Sequence, residues 1–254
     1  MPNHIQNRLV VTANSNEELQ NFLASIKGDT IVDDQKQIID FNRIIPMPLP
    51  LRDTESSSRT DDAIYYYLAT TNQEEMISSI LRHHKFYTMD RFAGKNKDEL
   101  NELLEIGKKY VEIFKEYGAK DWYDWSCANW GTKWNAYETR LETLDEYSVV
   151  LLFQTAWSGV PNIIQKLTEM FPTIIFDYKY ADEDMGYNCG EGYGEDGEFS
   201  FLMLQGGSED AIRTYAECWD CDFDMFYQDD EGYWHNREWE DEEDEDEVYN
   251  EDDE

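Results

Sequence analysis

Few side chains in this sequence have the types and spacing that chemistry requires. Cys218-Trp-Asp-Cys221 has the C-x-x-C spacing of zinc and redox sites. Zinc needs two further ligands, and the only other thiols, Cys127 and Cys189, have no mate at that spacing. His83 and His84 are adjacent, so they leave a helix in different directions, while His4 and His235 lie near opposite ends of the chain. Neither an H-E-x-x-H pair nor a nucleophile elbow occurs. Asp182-Glu-Asp184 and Asp229-Asp-Glu231 offer the carboxylate oxygens that calcium or magnesium takes, but not at EF-hand spacing, and they read as solvated turns. Gly190-Glu-Gly-Tyr-Gly194 has the glycines of a phosphate loop without its lysine, and its carboxylate would repel phosphate. From these residues we expect no catalytic residue, no metal and no cofactor.

Two other groups of residues are candidates for binding. The segment from Cys127 to Ala136 holds Asn129, Trp130, Lys133, Trp134 and Asn135 around Gly131. Indole faces and directed polar groups can floor a small-ligand pocket, and tryptophans in a core with asparagines capping turns explain the same residues. The second group is acidic. The net charge is −35, and residues 238–254 hold thirteen acidic side chains and no basic one, which leaves −22 on the first 237 residues. Such a charge repels nucleic acid and anionic membranes and attracts basic surfaces, and it also keeps a protein in solution. Asp222, Asp224, Tyr227, Asp229, Asp230, Glu231, Tyr233 and Trp234 interleave carboxylates with aromatics. Carboxylates spaced along a rigid surface can imitate phosphates, with aromatic anchors beside them.

The elements that must position these residues follow in chain order. His4 to Thr12 is expected as a strand. Asn14 to Glu18 starts a helix that carries Leu19, Phe22, Leu23 and Ile26, and Gly28 ends it. Gln37 to Ile45 is expected as a second strand, stopped by the prolines at 46, 48 and 50. Helical spacing then runs from Ala63 to Tyr117, with Gly118 at its end and a further turn over 121–125. Tyr147 to Thr155 is a nearly continuous apolar strand, of the kind buried on both faces. A helix over 160–171 has Pro161 in its first turn, and Thr173 to Tyr180 is the next strand. Tyr187 to Glu198 is expected as a turn, Phe199 to Gln205 as a strand and Ser208 to Trp219 as a capped helix. Asp222–Tyr227 and Tyr233–Asn236 are expected to pair as a hairpin.

Two β-α-β units interrupted by an insertion give an α+β, ferredoxin-like split β-α-β sheet. A helical insertion at about 53–128 lies within a domain of residues 1–181. Residues 182–237 are a C-terminal α/β extension, packed on the same sheet or forming a small second domain. The acid run of 238–254 is expected to be a disordered tail. No apolar run approaches the ~18 residues of a membrane span, the N-terminus lacks a signal peptide's regions, and four cysteines suit a reduced, cytoplasmic protein.

At Asn129-Trp-Gly-Thr-Lys-Trp-Asn-Ala136, Phe153-Gln-Thr-Ala-Trp-Ser158 and Asn3-His-Ile-Gln-Asn-Arg-Leu-Val-Val-Thr12 the chain resembles the YubB ferredoxin-like family of phages, plasmids and bacterial mobile elements. That family usually has prolines directly after the second motif, where this chain has Gly159 and Val160 before Pro161. The resemblance implies the fold and a mobile-element origin, and it carries over no catalytic residue. The function expected from charge and resemblance together is an acidic inhibitor that occupies the basic surface of a host nucleic-acid-binding protein, in the manner of a DNA mimic. It would touch neither nucleic acid nor membrane directly. The alternative is a ligand-binding protein or enzyme with its pocket at residues 129–135.

Overall fold

β1 (His4–Thr12) buries every second side chain, and Ile5, Asn7, Leu9 and Val11 form its inward row. The computed structural model describes residues 2–29, 31–32 and 35–237, and the chain divides into two compact units, residues 1–45 with 131–254 and residues 46–130. The expected acidic tail lies outside the described residues. In the first unit α1 (Asn16–Ile26) is capped by Ser15, whose side chain accepts from the Glu18 amide, and it buries Leu19, Phe22 and Ile26. The strand expected over 37–45 is absent. Asp40 instead caps a single helical turn, Phe41–Ile44, by accepting from the Asn42 amide. Apolar spacing alone does not separate a strand from a short helical turn. The cap decides here, and it buries Phe41 edge-on against Phe153, 6.0 Å between ring centroids.

Residues 46–130 are helical. α2 (Ser58–Thr70) and α3 (Lys97–Tyr117) each begin with a capping box, formed by Ser57 with Thr60 and by Asn96 with Glu99. Gly118, at φ 73°, ends α3 as expected. α2 and α3 pack so closely that a Cβ on Gly107 would collide with the Ala63 carbonyl and the Tyr67 side chain. Ile64, Leu68, Tyr110 and Val111 are buried together in this unit. α4 (Trp122–Asn129) is capped by Asp121 and is longer than the turn expected there.

The first unit resumes with β2 (Tyr137–Thr143) and β3 (Ser148–Ala156), antiparallel neighbours. β3 is buried along almost its whole length, as its apolar run implies. α5 (Pro161–Met170), β4 (Ile175–Asp182), β5 (Gly190–Glu195), β6 (Glu198–Met203) and α6 (Glu209–Trp219) follow. The sheet order is β2-β3-β1-β4-β5-β6, antiparallel throughout. The first four strands in the order 4-1-3-2, with α1 and α5 as crossovers, make the ferredoxin-like sheet; β5 and β6 extend it beyond β4. β5 falls where a turn was expected. Its glycines alternate, so Gly190, Gly192 and Gly194 share one face and leave room for Tyr180 with Phe201, for Phe199 and for Thr168 respectively.

Adjacent residues of β4 point to opposite faces. Tyr178 meets the Val160 amide at the start of α5, while Lys179 meets Glu217 on α6, so those helices lie on opposite faces of the sheet. The Tyr178 hydroxyl accepts from Val160 at 2.7 Å and donates to Asn7 Oδ1 at 2.6 Å; Asn7 Nδ2 donates to Thr155 Oγ1 at 2.8 Å. This fully buried chain joins β4, β1 and β3 with each member hydrogen-bonded, which is what makes buried polar groups tolerable. A hairpin of β7 (Phe226–Gln228) and β8 (Trp234–Asn236) closes the described chain, narrower than the expected pairing.

Candidate functional site

The tryptophan–asparagine segment crosses the boundary between the two units. Asn129 and Trp130 belong to the helical unit. Asn129 donates to the Trp125 carbonyl at 2.9 Å, and Trp130 is buried edge-on to Trp125 with ring centroids 5.5 Å apart. In the sheet unit Asn135 is a staple. Its Oδ1 accepts from the Phe41 and Ala136 amides, both at 2.9 Å, and its Nδ2 donates to Asp40 Oδ1 at 2.6 Å. Lys133 and Trp134 turn outward. The Lys133 ammonium lies 4.6 Å from the Trp134 ring centroid and 5.0 Å from that of Trp157, held between two indoles that are 38% and 43% exposed. Trp157 adopts φ 74°, an uncommon backbone conformation for a bulky residue.

Beside Trp134 lies a groove of about 890 Å³ lined by Gln6, Gln37, Tyr137, Glu138, Arg140 and Gln154 among others. It opens where β2 loses register with β3 between Tyr137 and Arg140, with Glu138 at φ 47°. The Tyr137 hydroxyl donates to the Thr155 carbonyl at 3.1 Å and is 2.8 Å from His4 Nδ1. Burial, with Glu183 and Glu138 nearby, pushes this phenol up to about 12, so it stays protonated and acts only through hydrogen bonds. Arg140 is held by Glu142 at 3.1 Å. Amides, one phenol, a paired guanidinium and the Glu138 carboxylate suit a polar ligand that is neutral or positively charged.

Two of the four thiols, Cys189 and Cys218, are buried. Burial pushes Cys189 up to about 12 and Cys218 further still, so neither supplies a thiolate near neutral pH. Among the described residues no group of three or more His, Cys, Asp or Glu side chains is placed to hold a metal ion. Asp182 is not the solvated turn residue expected: it ends β4, is buried, and accepts from the Asn3 and Asn188 amides and from the Asp184 backbone. One ionic cluster gave no sequence signal beyond the ordinary pair Lys120-Asp121. In the helical unit Lys120 Nζ lies 2.7 Å from Asp121, 3.1 Å from Asp61 and 3.8 Å from Asp124. Burial alone would lower its pKa, but the Asp121 hydrogen bond and the surrounding carboxylates outweigh this and raise it, so the ammonium stays charged.

The charge is unevenly placed. Residues 182–237 hold sixteen acidic and two basic side chains, a net of −14 out of the −22 on the first 237 residues. The end of β4, β5, β6, α6, the terminal hairpin and the turns between them carry these side chains. In the hairpin Asp222 caps a short turn by accepting from Asp224, and Asp224, Asp230, Glu231 and Tyr233 are exposed. Asp229 is fixed: Oδ1 accepts from the Glu231 and Tyr233 amides at 2.9 and 2.8 Å, and Oδ2 lies 2.9 Å from His235 Nε2. The His235 hydrogen bond, helped by the Tyr233 amide, holds this carboxyl below the usual range. Tyr227 stacks on His235 beneath the Arg237 guanidinium. Trp234 packs on Phe223 against the core around Tyr215 and Cys218, so it anchors the hairpin to the body.

No described helix is long and apolar enough to cross a membrane. A comparison with curated proteins found no match. Among solved structures, the crystal structure of a protein Api92 from Yersinia pseudotuberculosis is similar over 82% of this chain and all of that one, at 11% identity and a TM-score of 0.41. The ferredoxin-like fold implied by the YubB resemblance holds, and the family that matches is the Api92-like one: residues 129–254, from the last residue of α4 onward, are similar to the ferredoxin-like domain in Api92-like protein.

Proposed function

We propose that this chain works by binding, as an acidic protein that occupies the basic, nucleic-acid-binding surface of a partner. The carrying observation is the net −14 of residues 182–237, borne on strands, a helix, a hairpin and the short turns between them. Carboxylates held on ordered backbone lose little freedom on binding, so they suit a partner's cationic groove better than the same charges on an open chain. The likeness to YubB proteins supports a phage or plasmid origin, with a host nuclease or CRISPR effector in the cytoplasm as the partner. The test is capture from host lysate on the immobilised full chain, beside a version ending at Arg237. We expect both to retain the same basic protein, with affinity falling steeply as ionic strength rises and with double-stranded DNA competing. Affinity that ignores salt, or capture that needs the tail, overturns this reading.

A second reading is favoured by the groove next to Trp134 and the lysine held between two exposed indoles. There the chain binds a polar small molecule that carries no negative charge. Loss of activity in Trp134→Ala with the fold retained, while charge reversal over 222–231 is harmless, would select it.

A further inference from the structure

β6 ends the sheet, and no strand pairs with its outer edge among the described residues. It runs beside β5 without a register shift and contains no proline and no lysine, so beyond Glu198 at its start it lacks the usual devices that guard an edge. Phe201, Leu202 and Met203 are 37%, 63% and 59% exposed, and Tyr193 beside them on β5 is 45% exposed. Glu195, Asp196 and Glu198 sit at the other end, in and beside the β5–β6 turn, and none is in an ion pair among the described residues. An open ladder of backbone groups, an apolar stretch and uncompensated carboxylates thus lie along one strand.

We propose that β6 is a docking edge, to which an extended segment of a partner protein adds as a seventh strand. Backbone hydrogen bonds supply affinity in strand addition, and alternate side chains supply selectivity. The incoming segment carries apolar residues against Phe201 and Met203 and lysine or arginine beside Glu198. Charge complementarity selects this occupant over a second copy, because two chains of −35 repel each other. The inference rests on the binding reading above and gives it a surface.

The experiment uses the full chain and a blocked, fluorescent peptide of alternating valine and lysine, with an analogue N-methylated at every second residue so that it cannot pair as a strand. We expect the first peptide to bind, the analogue to bind at least about tenfold more weakly, and the amides of Phe199, Phe201 and Met203 to gain hydrogen-exchange protection. Leu202→Lys should weaken binding, and Thr143→Lys on β2 should not. Equal binding of both peptides, still weakened by salt, overturns strand addition and leaves recognition by charge standing. Failure of both to bind at low ionic strength overturns both. Protection of β6 that rises with protein concentration and needs no peptide makes a second copy the occupant and overturns the partner strand.

Discussion

β2 and β6 hold equivalent places in one sheet, each with a single strand neighbour and one outward edge among the described residues. β2 breaks register between Tyr137 and Arg140, puts Glu138 at φ 47°, and exposes Glu138, Arg140 and Glu142. β6 keeps register throughout and exposes Phe201, Leu202 and Met203. A bulge and charges spread along the strand deny an approaching strand a regular ladder; β6 has no bulge, and its one charge, Glu198, sits at its first residue. The contrast teaches that the unguarded edge coincides with the acidic part of the chain. Carboxylates can keep like chains apart while leaving the edge open to a basic strand.

The largest expected effect separates the edges by packing. Gly192→Val should cost about 1–3 kcal/mol, because its Cβ would lie 2.5 Å from the Phe199 ring and 3.1 Å from the Ser200 carbonyl and drive the ring from its seat over β5. Thr143→Val on exposed β2 should stay within about 0.5 kcal/mol. Urea unfolding of both variants measures the difference, and equal costs would mean that β6 is not seated on the β5 glycines. Glu138→Gly comes next. Removing a side chain from a left-handed backbone should raise stability by up to about 1 kcal/mol. A loss instead would show that the Glu138 side chain stabilises the bulge. Arg140→Val with Glu142→Val tests what guards β2. If the register break is sufficient, light scattering should show no self-association.

The sequence made β1, β3, β4 and the edge strand β6 legible and left β2 and β5 illegible, for a physical reason. β1 and β3 are buried, so their composition declares them, and α1 and α5 announce themselves through Ser15 and Pro161. β2 reads Tyr-Glu-Thr-Arg-Leu-Glu-Thr, half exposed and polar, and gave no strand signal. Five apolar residues at 38–45 drew the strand assignment that β2 should have had; Asp40 and its cap were the missed sign. The β5 glycines resembled a loop because their partners, Tyr180, Thr168 and two phenylalanines, come from other elements. At the candidate sites the residue types were visible and their orientation was not. Asn135 and Trp234 proved to hold the fold together, while Lys133 and Trp134 face outward beside a Trp157 that only the folded sheet brings near. The ions around Lys120 meet across the separate segments 61 and 120–124, which no local pattern could reveal.

The smallest effect tests whether the acidic side is held in shape. Asp229 is the hairpin carboxylate bound by two backbone amides and His235, and its pKa is lowered chiefly by the His235 hydrogen bond. A carboxyl depressed in the folded state adds stability that is present above its unfolded value and lost as pH falls through the folded one. Acidification through and below the ordinary carboxylate range should therefore loosen the Asp229–Tyr233 turn first, seen as a loss of amide protection at Glu231 and Tyr233. Raising the pH from neutral should leave the carboxylate's own contribution unchanged. Asp229→Asn should abolish that acid step while β5 and β6 stay protected. Loss of protection across β6 in the same step would mean that hairpin and edge unfold as one piece, and would tie the docking strand to the state of Asp229.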